Sequence, residues 1–209
     1  DKNKAYHVAL SGGSTPALMF DIWANEYIDK TDWERLFIYW VDERCVPPEH
    51  SDSNYGMTKK LLLDRVPLSE DQIFRIKGED NPDEEAARYS AITSKQLPHK
   101  DGYPVFDVVL LGAGDDGHTS SIFPGQEELL KVAEPFAACF NPYNGQKRIA
   151  MTGQTIINAD LVVFLITGQG KADVVAEMYS SGDVGPAAYI AHHASPVELF
   201  LDSAAASKL

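Results

Sequence analysis

The sequence predicts an α/β fold, in which a mostly parallel sheet carries helices on both faces. Short apolar runs recur along the chain, and stretches with a helical spacing of apolar residues separate them. Runs this short and this apolar are typical of strands buried on both faces of a parallel sheet. The strongest runs end in glycine or charged residues, and ligands bind at the carboxyl ends of such strands. These runs cover residues 6–10, 36–41, 108–111 and 161–167.

The first strand, residues 6–10, leads into a glycine-rich loop that opens a helix. The loop contains Gly12, Gly13, Ser14 and Thr15. Pro16 follows, a residue favoured in a first helical turn, and the helix is expected to run to about Tyr27. Such a helix start presents backbone N–H groups to an anion. The loop therefore predicts a phosphate or oxyanion site; the alternative is an ordinary tight turn. It has neither a Walker motif nor GxGxxG, so nucleotide binding is not indicated.

The second strand, residues 36–41, ends in Asp42, Glu43 and Arg44. Three charged side chains at this point are expected to face the same crevice. The guanidinium of Arg44 has the planar fork that matches phosphate oxygens, although a local surface ion pair with Asp42 is the alternative. A loop then leads to a predicted helix near residues 55–63, whose N-cap is offered by Asp52, Ser53 or Asn54.

The third strand, residues 108–111, runs into the loop that carries the most distinctive chemistry. Its glycines, Gly112, Gly114 and Gly117, let the backbone approach a ligand closely. Asp116 lies in this loop and His118 ends the glycine run. An imidazole titrates near neutral pH, with a reference pKa of about 6.5, so His118 is a candidate general base. The alternative is a loop histidine that caps the next helix.

The fourth strand, residues 161–167, ends in Gly168 and Gly170, and Lys171 opens a predicted helix to Met178. Lys171 is therefore a second candidate cation for the crevice, unless it is a solvated helix residue. The remaining predicted elements are a short strand at 72–75, a helix at 82–97, a loop at 99–104, a helical turn at 127–132, a hairpin of strands 136–140 and 148–151 around a turn at 141–146, a short helix at 152–159, a strand at 197–201 and a terminal helix at 202–208.

Composition limits the possible functions. The chain has 209 residues, 44% of them hydrophobic, and a formal charge of −13. No cluster of basic residues appears, which argues against a nucleic-acid partner. Cys45 and Cys139 lack metal-ligand spacing, so neither a metal nor a disulfide is expected. No apolar run reaches the roughly 18 residues of a membrane helix, and no signal peptide is apparent, so a cytoplasmic location is predicted.

The absence of repeats and linkers predicts a single domain over residues 1–209. The chain begins almost directly on its first strand, which suggests that N-terminal residues are missing.

Four motifs in order resemble the 6-phosphogluconolactonase family. They are LSGGSTP from residue 10, WVDERCVPPEHSDSN from residue 40, LLGAGDDGHTSSIFPG from residue 110 and FLITGQGKA from residue 164. The resemblance extends from Val8 to about Ala204. It implies a Rossmann-like three-layer sandwich of the glucosamine-6-phosphate deaminase/ribose-5-phosphate isomerase type.

The resemblance also implies hydrolysis of 6-phospho-D-glucono-1,5-lactone to 6-phosphogluconate, in the oxidative pentose phosphate pathway, without a metal or organic cofactor. His118 resembles the family's general base, and Asp116 or Asp42 is expected to orient its ring. The predicted substrate-binding residues are Gly12, Gly13, Ser14, Thr15, Arg44, Gly114, Arg148 and Lys171, of which Arg44 and Lys171 resemble the phosphate contacts. The expected partner is a small phosphorylated sugar lactone, bound by a monomer or weak homodimer.

Two other functions stay open. An isomerase or deaminase of the same fold would carry a glutamate before the proline of the histidine loop, where this chain has Phe123. Such an enzyme usually also has the sequence DEY at the position where this chain has Asp42-Glu43-Arg44. A non-catalytic sugar-phosphate-binding module would usually carry a basic DNA-binding segment and could dispense with His118.

Overall fold

A parallel sheet forms the centre of the computed structural model, which describes residues 4–180 and 182–209. The strands, in chain order, are β1 (Tyr6–Leu10), β2 (Leu36–Trp40), β3 (Asp42–Arg44), β4 (His99–Lys100), β5 (Tyr103–Pro104), β6 (Val108–Leu111), β7 (Phe136–Phe140), β8 (Lys147–Met151), β9 (Val162–Ile166) and β10 (Val197–Leu201). The helices are α1 (Ser14–Glu26), α2 (Asn54–Leu61), α3 (Pro82–Gln96), α4 (Gly153–Ile157), α5 (Ala172–Tyr179) and α6 (Gly185–His193).

The central sheet has five strands in the order β10–β9–β6–β1–β2, all parallel. The four apolar runs of the sequence are therefore adjacent strands, as predicted. Their registers pair Leu10 with Trp40 and Leu111 with Phe164, so the loops after β1, β2, β6 and β9 leave the sheet at the same edge. This edge is where polar loop residues from distant parts of the chain meet.

The core lies on this sheet and under the helices that flank it. Residues at the middle of the strands, such as Ala9, Val109 and Phe164, are fully buried. Tyr89 links α3 to the end of β2. Its buried hydroxyl donates to the carbonyl of Phe74 at 2.7 Å and accepts from the N–H of Trp40 at 3.1 Å. No helix in the described ranges has the length and apolar character of a membrane-spanning segment.

A second, antiparallel sheet stands beside the central one in the order β3–β8–β7. The hairpin predicted near residues 136–151 is confirmed as β7 and β8. Strand β3, the remaining strand of this second sheet, was not predicted. Residues 42–44 leave the central sheet after β2 and pair with β8, which places Arg44 opposite Arg148. A run of three charged residues does not have the composition of a strand, and only pairing with β8 makes it one.

Several local predictions are wrong. Residues 72–75 form no regular strand; a 3₁₀ turn (Glu70–Gln72) is followed by a single bridge between Ile73 and Ile38. The predicted loop at 99–104 is a small hairpin of β4 and β5, and residues 202–208 form turns instead of a helix. The helical turn predicted at 127–132 is present, as a shorter 3₁₀ turn (Glu127–Leu130).

Helix α6 was missed. Its sequence, GPAAYIAHH, begins with glycine and proline and lacks the polar stripe that reveals an amphipathic helix. It matters for the site, because the N–H of Ala187 in its first turn donates to the carbonyl of Gly117 in the histidine loop at 2.9 Å.

Candidate active site

A cleft of about 220 Å³ lies at the carboxyl edge of the central sheet. Ten of the predicted site residues line it: Gly12, Gly13, Ser14, Thr15, Asp42, Arg44, Gly114, His118, Arg148 and Lys171. The remaining one, Asp116, is hydrogen-bonded to His118. The structure thus brings together residues from the loops after β1, β6 and β9 with residues of β3 and β8.

His118 and Asp116 form a close pair. The Nδ1 atom of His118 lies 2.6 Å from Oδ1 of Asp116, and the same oxygen accepts the backbone N–H of His118 at 3.2 Å. The imidazole also packs on Phe123, with ring centroids 4.4 Å apart. Because an ionised carboxylate only accepts hydrogen bonds, Nδ1 of the neutral ring carries the proton and Nε2 is left to accept one.

The pKa of the Asp116 carboxyl has two opposing influences. Partial burial acts to raise it, whereas hydrogen bonds from the Tyr143 hydroxyl and from His118, together with the positive charge that His118 can carry, lower it. The net direction is downward, so Asp116 is an anion throughout the neutral range. It can therefore hold the Nδ1 proton of the imidazole and stabilise an imidazolium.

Gly114 makes this pair possible. A Cβ atom at residue 114 would lie 2.5 Å from Oδ1 of Asp116 and closer still to Nδ1 of His118, so a larger residue would displace both side chains. The N–H of Gly114 donates to the carbonyl of His118 at 2.8 Å and closes the loop. Gly114 was predicted to line the substrate site, and its contacts add the reason why no side chain fits there.

Asp42 takes part in a different network. Its Oδ2 accepts from the hydroxyl of Ser121 at 2.6 Å and lies 3.8 Å from Nη1 of Arg148, and its Oδ1 accepts from the Asn54 amide at 3.2 Å. The sequence left open whether Asp116 or Asp42 would hold the imidazole. Asp116 accepts the hydrogen bond from Nδ1–H of His118, whereas Asp42 is buried and holds the residues around Arg148.

Three cations reach the cleft. Arg44 donates through Nη1 to the carbonyl of Asp52 at 2.7 Å, and Lys171 forms an ion pair with Asp115 at 2.6 Å. Arg148 donates through Nη1 to the Ser121 hydroxyl at 3.3 Å. Burial lowers the pKa of the Arg148 guanidinium, against the opposing effect of Asp42.

The two arginines still have unused donors. Within the described part of the chain, the buried Nε–H groups of Arg44 and Arg148 have no hydrogen-bond partner. An unpaired buried donor costs free energy, and a pair of such donors on facing strands suits a ligand with anionic oxygens.

The loop after β1 offers further donors. Gly13 has a φ of 108°, which favours glycine, and its carbonyl accepts the N–H of Ala17 as α1 begins. Among the described residues no side chain caps α1, and Ser14 and Thr15 at its start line the cleft, so no side chain competes with a ligand for the N–H groups of this first turn. Thr15 is held in place by its hydroxyl contact with Thr167 at 2.8 Å.

Glu43 is not part of the crevice, contrary to the prediction that all three charged residues after β2 face it. Successive side chains of a strand point to opposite sides, so Glu43 turns away from Asp42 and Arg44. Its carboxylate is 2% exposed and accepts the N–H groups of Arg44, Asn54 and Tyr55, each at 2.8 Å. Glu43 thus anchors the start of α2, whose N-cap is Ser53.

Asn54, Ser121 and Tyr143 also contact the site and were not predicted as site residues. Asn54 and Ser121 both donate to Asp42 and both lie within the quoted motifs, so their membership of those motifs was a usable signal. Tyr143 lies in a surface turn, and its hydroxyl donates to Oδ2 of Asp116 at 2.7 Å across a separation of 27 residues. Nothing in the local pattern indicates that contact.

In residues 4–180 and 182–209, no group of three or more His, Cys, Asp or Glu side chains is arranged to hold a metal ion. Cys45 and Cys139 are free thiols, and burial raises the pKa of Cys45 to about 11.

The sequence matches the family described as glucosamine-6-phosphate isomerases/6-phosphogluconolactonase over residues 1–199. Similar curated proteins include the 6-phosphogluconolactonase of Treponema pallidum, 44% identical over 173 residues, a match that spans 83% of this chain and 72% of the relative. The 6-phosphogluconolactonase of Haemophilus influenzae is 38% identical over 212 residues, which span 97% of this chain and 87% of the relative.

Solved structures show the same fold. The crystal structure of a protein named devB superposes with a TM-score of 0.94 at 37% identity and covers 100% of this chain and 89% of its own. The 6-phosphogluconolactonase of Trypanosoma brucei superposes with a TM-score of 0.87 at 29% identity, over 100% and 88% of the two chains. A monomeric glucosamine-6-phosphate deaminase, at 19% identity and a TM-score of 0.80, shares the fold and covers 97% and 87% of the chains.

Proposed function

The chain belongs to the glucosamine-6-phosphate isomerase/6-phosphogluconolactonase family, and we propose that it hydrolyses 6-phospho-D-glucono-1,5-lactone to 6-phosphogluconate. The observation that carries this proposal is the pair of His118 and Asp116 beside a cleft that also holds Arg44, Arg148 and Lys171. A general base next to a set of cations suits a phosphorylated ester substrate.

His118 acts as the general base. Its Nε2 takes a proton from water while the water oxygen attacks the lactone carbonyl carbon, and Asp116 stabilises the imidazolium through Nδ1. The bond from the carbonyl carbon to the ring oxygen then breaks, and the imidazolium returns its proton to that oxygen. At pH 7 the carboxylic acid product is fully ionised, so each turnover releases one proton.

The other predicted residues bind and position. Arg44 and Lys171 hold the phosphate, which is remote from the reacting carbon, and Arg148 adds a donor between them and Asp42. Backbone N–H groups of the loop formed by residues 12–15 stabilise the negative charge that develops on the carbonyl oxygen. Lys171 must exchange its contact with exposed Asp115 for the phosphate, which an ion pair of this kind permits at little cost.

Phe123 favours hydrolysis over isomerisation or deamination. Those reactions would need a second carboxylate where the sister enzymes carry glutamate, and a phenyl ring cannot accept a proton. Here Phe123 is buried and its ring packs on the imidazole of His118. A single-domain organisation, a cytoplasmic location and a monomeric or weakly dimeric state stay predictions from the sequence.

Proton release on freshly generated 6-phosphogluconolactone tests the proposal. We expect the protein to accelerate release well beyond spontaneous hydrolysis, while glucosamine 6-phosphate yields no ammonia. Ammonia formation with no effect on the lactone would identify a deaminase, and tight binding of the lactone without turnover would identify a binding module. Either result would overturn the proposal.

A further inference from the structure

The turn between β7 and β8 reaches the catalytic pair. It contains Tyr143, whose hydroxyl donates to Oδ2 of Asp116 at 2.7 Å, while Oδ1 of the same carboxylate contacts Nδ1 of His118 at 2.6 Å. Oδ2 of Asp116 thus contacts Tyr143, whereas Oδ1 contacts the ring Nδ1 and the backbone N–H of His118. The tyrosine ring also meets the edge of Phe123, with centroids 6.2 Å apart.

We propose that Tyr143 is a positioning residue: it holds the Asp116 carboxylate in the orientation in which Asp116 holds the His118 ring. The inference rests on the proposed function, in which His118 is the general base. Tyr143 becomes a third member of the catalytic pair's network, and the site extends to a turn that was predicted only as the connection of a hairpin.

The turn is built to hold Tyr143 in place. The N–H of Tyr143 donates to the Asn141 side chain at 2.9 Å, and the N–H of Gly145 donates to the Asn141 carbonyl at 2.8 Å. Gly145 has a φ of 72°, which allows the chain to reverse. A tyrosine that is 69% exposed would otherwise lose its fixed position easily, because solvent competes for its hydroxyl.

The same turn is also tied to the arginines of the cleft. The Gln146 amide donates to Oδ2 of Asp52 at 3.0 Å and accepts from Nη2 of Arg148 at 3.3 Å, and the carbonyl of Asp52 accepts from Arg44. The turn is therefore fixed at one end to the arginines and at the other to Asp116. This double attachment supports a role in setting the geometry of the site.

Loss of the Tyr143 hydroxyl has a definite electrostatic consequence. A neutral donor disperses the negative charge of a carboxylate, so without it Asp116 attracts the imidazolium more strongly. Protonated His118 is then favoured, and the acid limb of the pH–rate profile moves to higher pH. The other charged groups that line the cleft with His118, namely Asp42, Arg44, Arg148 and Lys171, are unchanged by the substitution.

The test compares Tyr143→Phe, Asp116→Asn and the wild type in kcat, KM and the pH profile of kcat/KM. For Tyr143→Phe we expect kcat to fall about two- to tenfold with KM unchanged, and the acid limb to move up by roughly 0.3–1 pH unit. Asp116→Asn removes the anion, so its limb should move in the opposite direction. Tyr179→Phe, at a tyrosine that is 60% exposed at the end of α5, is the matched control and should match the wild type.

The outcomes separate this inference from the proposed function. A Tyr143→Phe enzyme with wild-type kcat and an unmoved acid limb would overturn the positioning role, and so would a change in KM alone, which would indicate direct contact with substrate. If the wild type lacks lactonase activity, NMR titration of the His118 ring still decides the inference. A titration shifted to higher pH in Tyr143→Phe would support the positioning role, and an identical titration would overturn it.

Discussion

The contact between Nδ1 of His118 and Oδ1 of Asp116 determines which ring nitrogen can take a proton from water. The carboxyl of Asp116 has a lowered pKa, so it loses its charge only when the pH falls below the ordinary value of 3.8. Any stability that its anion contributes is accordingly present above that value and lost below it. A loss of activity on acidification at higher pH is therefore not due to protonation of Asp116.

Two cations of the cleft, Arg44 and Lys171, are expected to bind the substrate phosphate. We predict that Arg44→Ala and Lys171→Ala each weaken substrate binding by roughly 1.5–3 kcal/mol, the range for hydrogen bonds to charged groups. Most of the loss should appear in KM, because the phosphate is remote from the reacting carbon. Inorganic phosphate should compete with substrate in the wild type.

Steady-state kinetics check this, with Lys95→Ala on the exposed side of α3 as the control lysine. If both variants kept the wild-type KM and phosphate did not inhibit, the phosphate would have to bind elsewhere.

At the scale of elements, the loop after β6 depends on one glycine. A Cβ at residue 114 would overlap Nδ1 of His118 and crowd Asp116, so Gly114→Ala should displace the base. We expect kcat to fall by about 100-fold, the loss that a displacement of ~1 Å can cause, while the fold persists. Gly170→Ala is the matched control, since a Cβ there meets open space among the described residues. Equal kcat values for the two variants would contradict the crowding argument.

Glu43 provides a test of how α2 is held. Its buried carboxylate accepts three backbone N–H groups and the Ser53 hydroxyl, so Glu43→Ala leaves these donors unpaired. We predict that the free energy of unfolding falls by about 3 kcal/mol, measured by denaturant titration. Glu26→Ala, at an exposed position near the end of α1, should change it little. A loss below 1 kcal/mol for Glu43→Ala would show that water replaces the carboxylate.

The elements also show what local sequence can predict. Buried strands such as β6 and β9 were predictable, because a continuous apolar run has few alternatives. Strand β3 was not, since the charged residues 42–44 form a strand only by pairing with β8. Helix α6 is apolar on most sides and begins with Gly185, so it lacks the pattern that marks a surface helix.

At the scale of the molecule, the cleft exists because parallel strands deliver their loops to one edge. That rule connects His118 with Arg44 and Lys171 although they lie far apart in sequence, and it made these residues predictable. The contact of Tyr143 with Asp116 follows no such rule. It depends on how the second sheet packs beside the first, and the local sequence around Tyr143 does not encode that packing.

We propose above all that His118 is the general base of a lactonase. The most direct test measures initial rates of proton release on fresh 6-phosphogluconolactone by the wild type and His118→Asn between about pH 5 and 8, where histidine ordinarily titrates. We predict an acid limb for the wild type and a kcat about 10²–10⁴-fold lower for His118→Asn, with no such limb. A variant with near wild-type kcat and the same acid limb would contradict the account and make Asp42 the first candidate for the base.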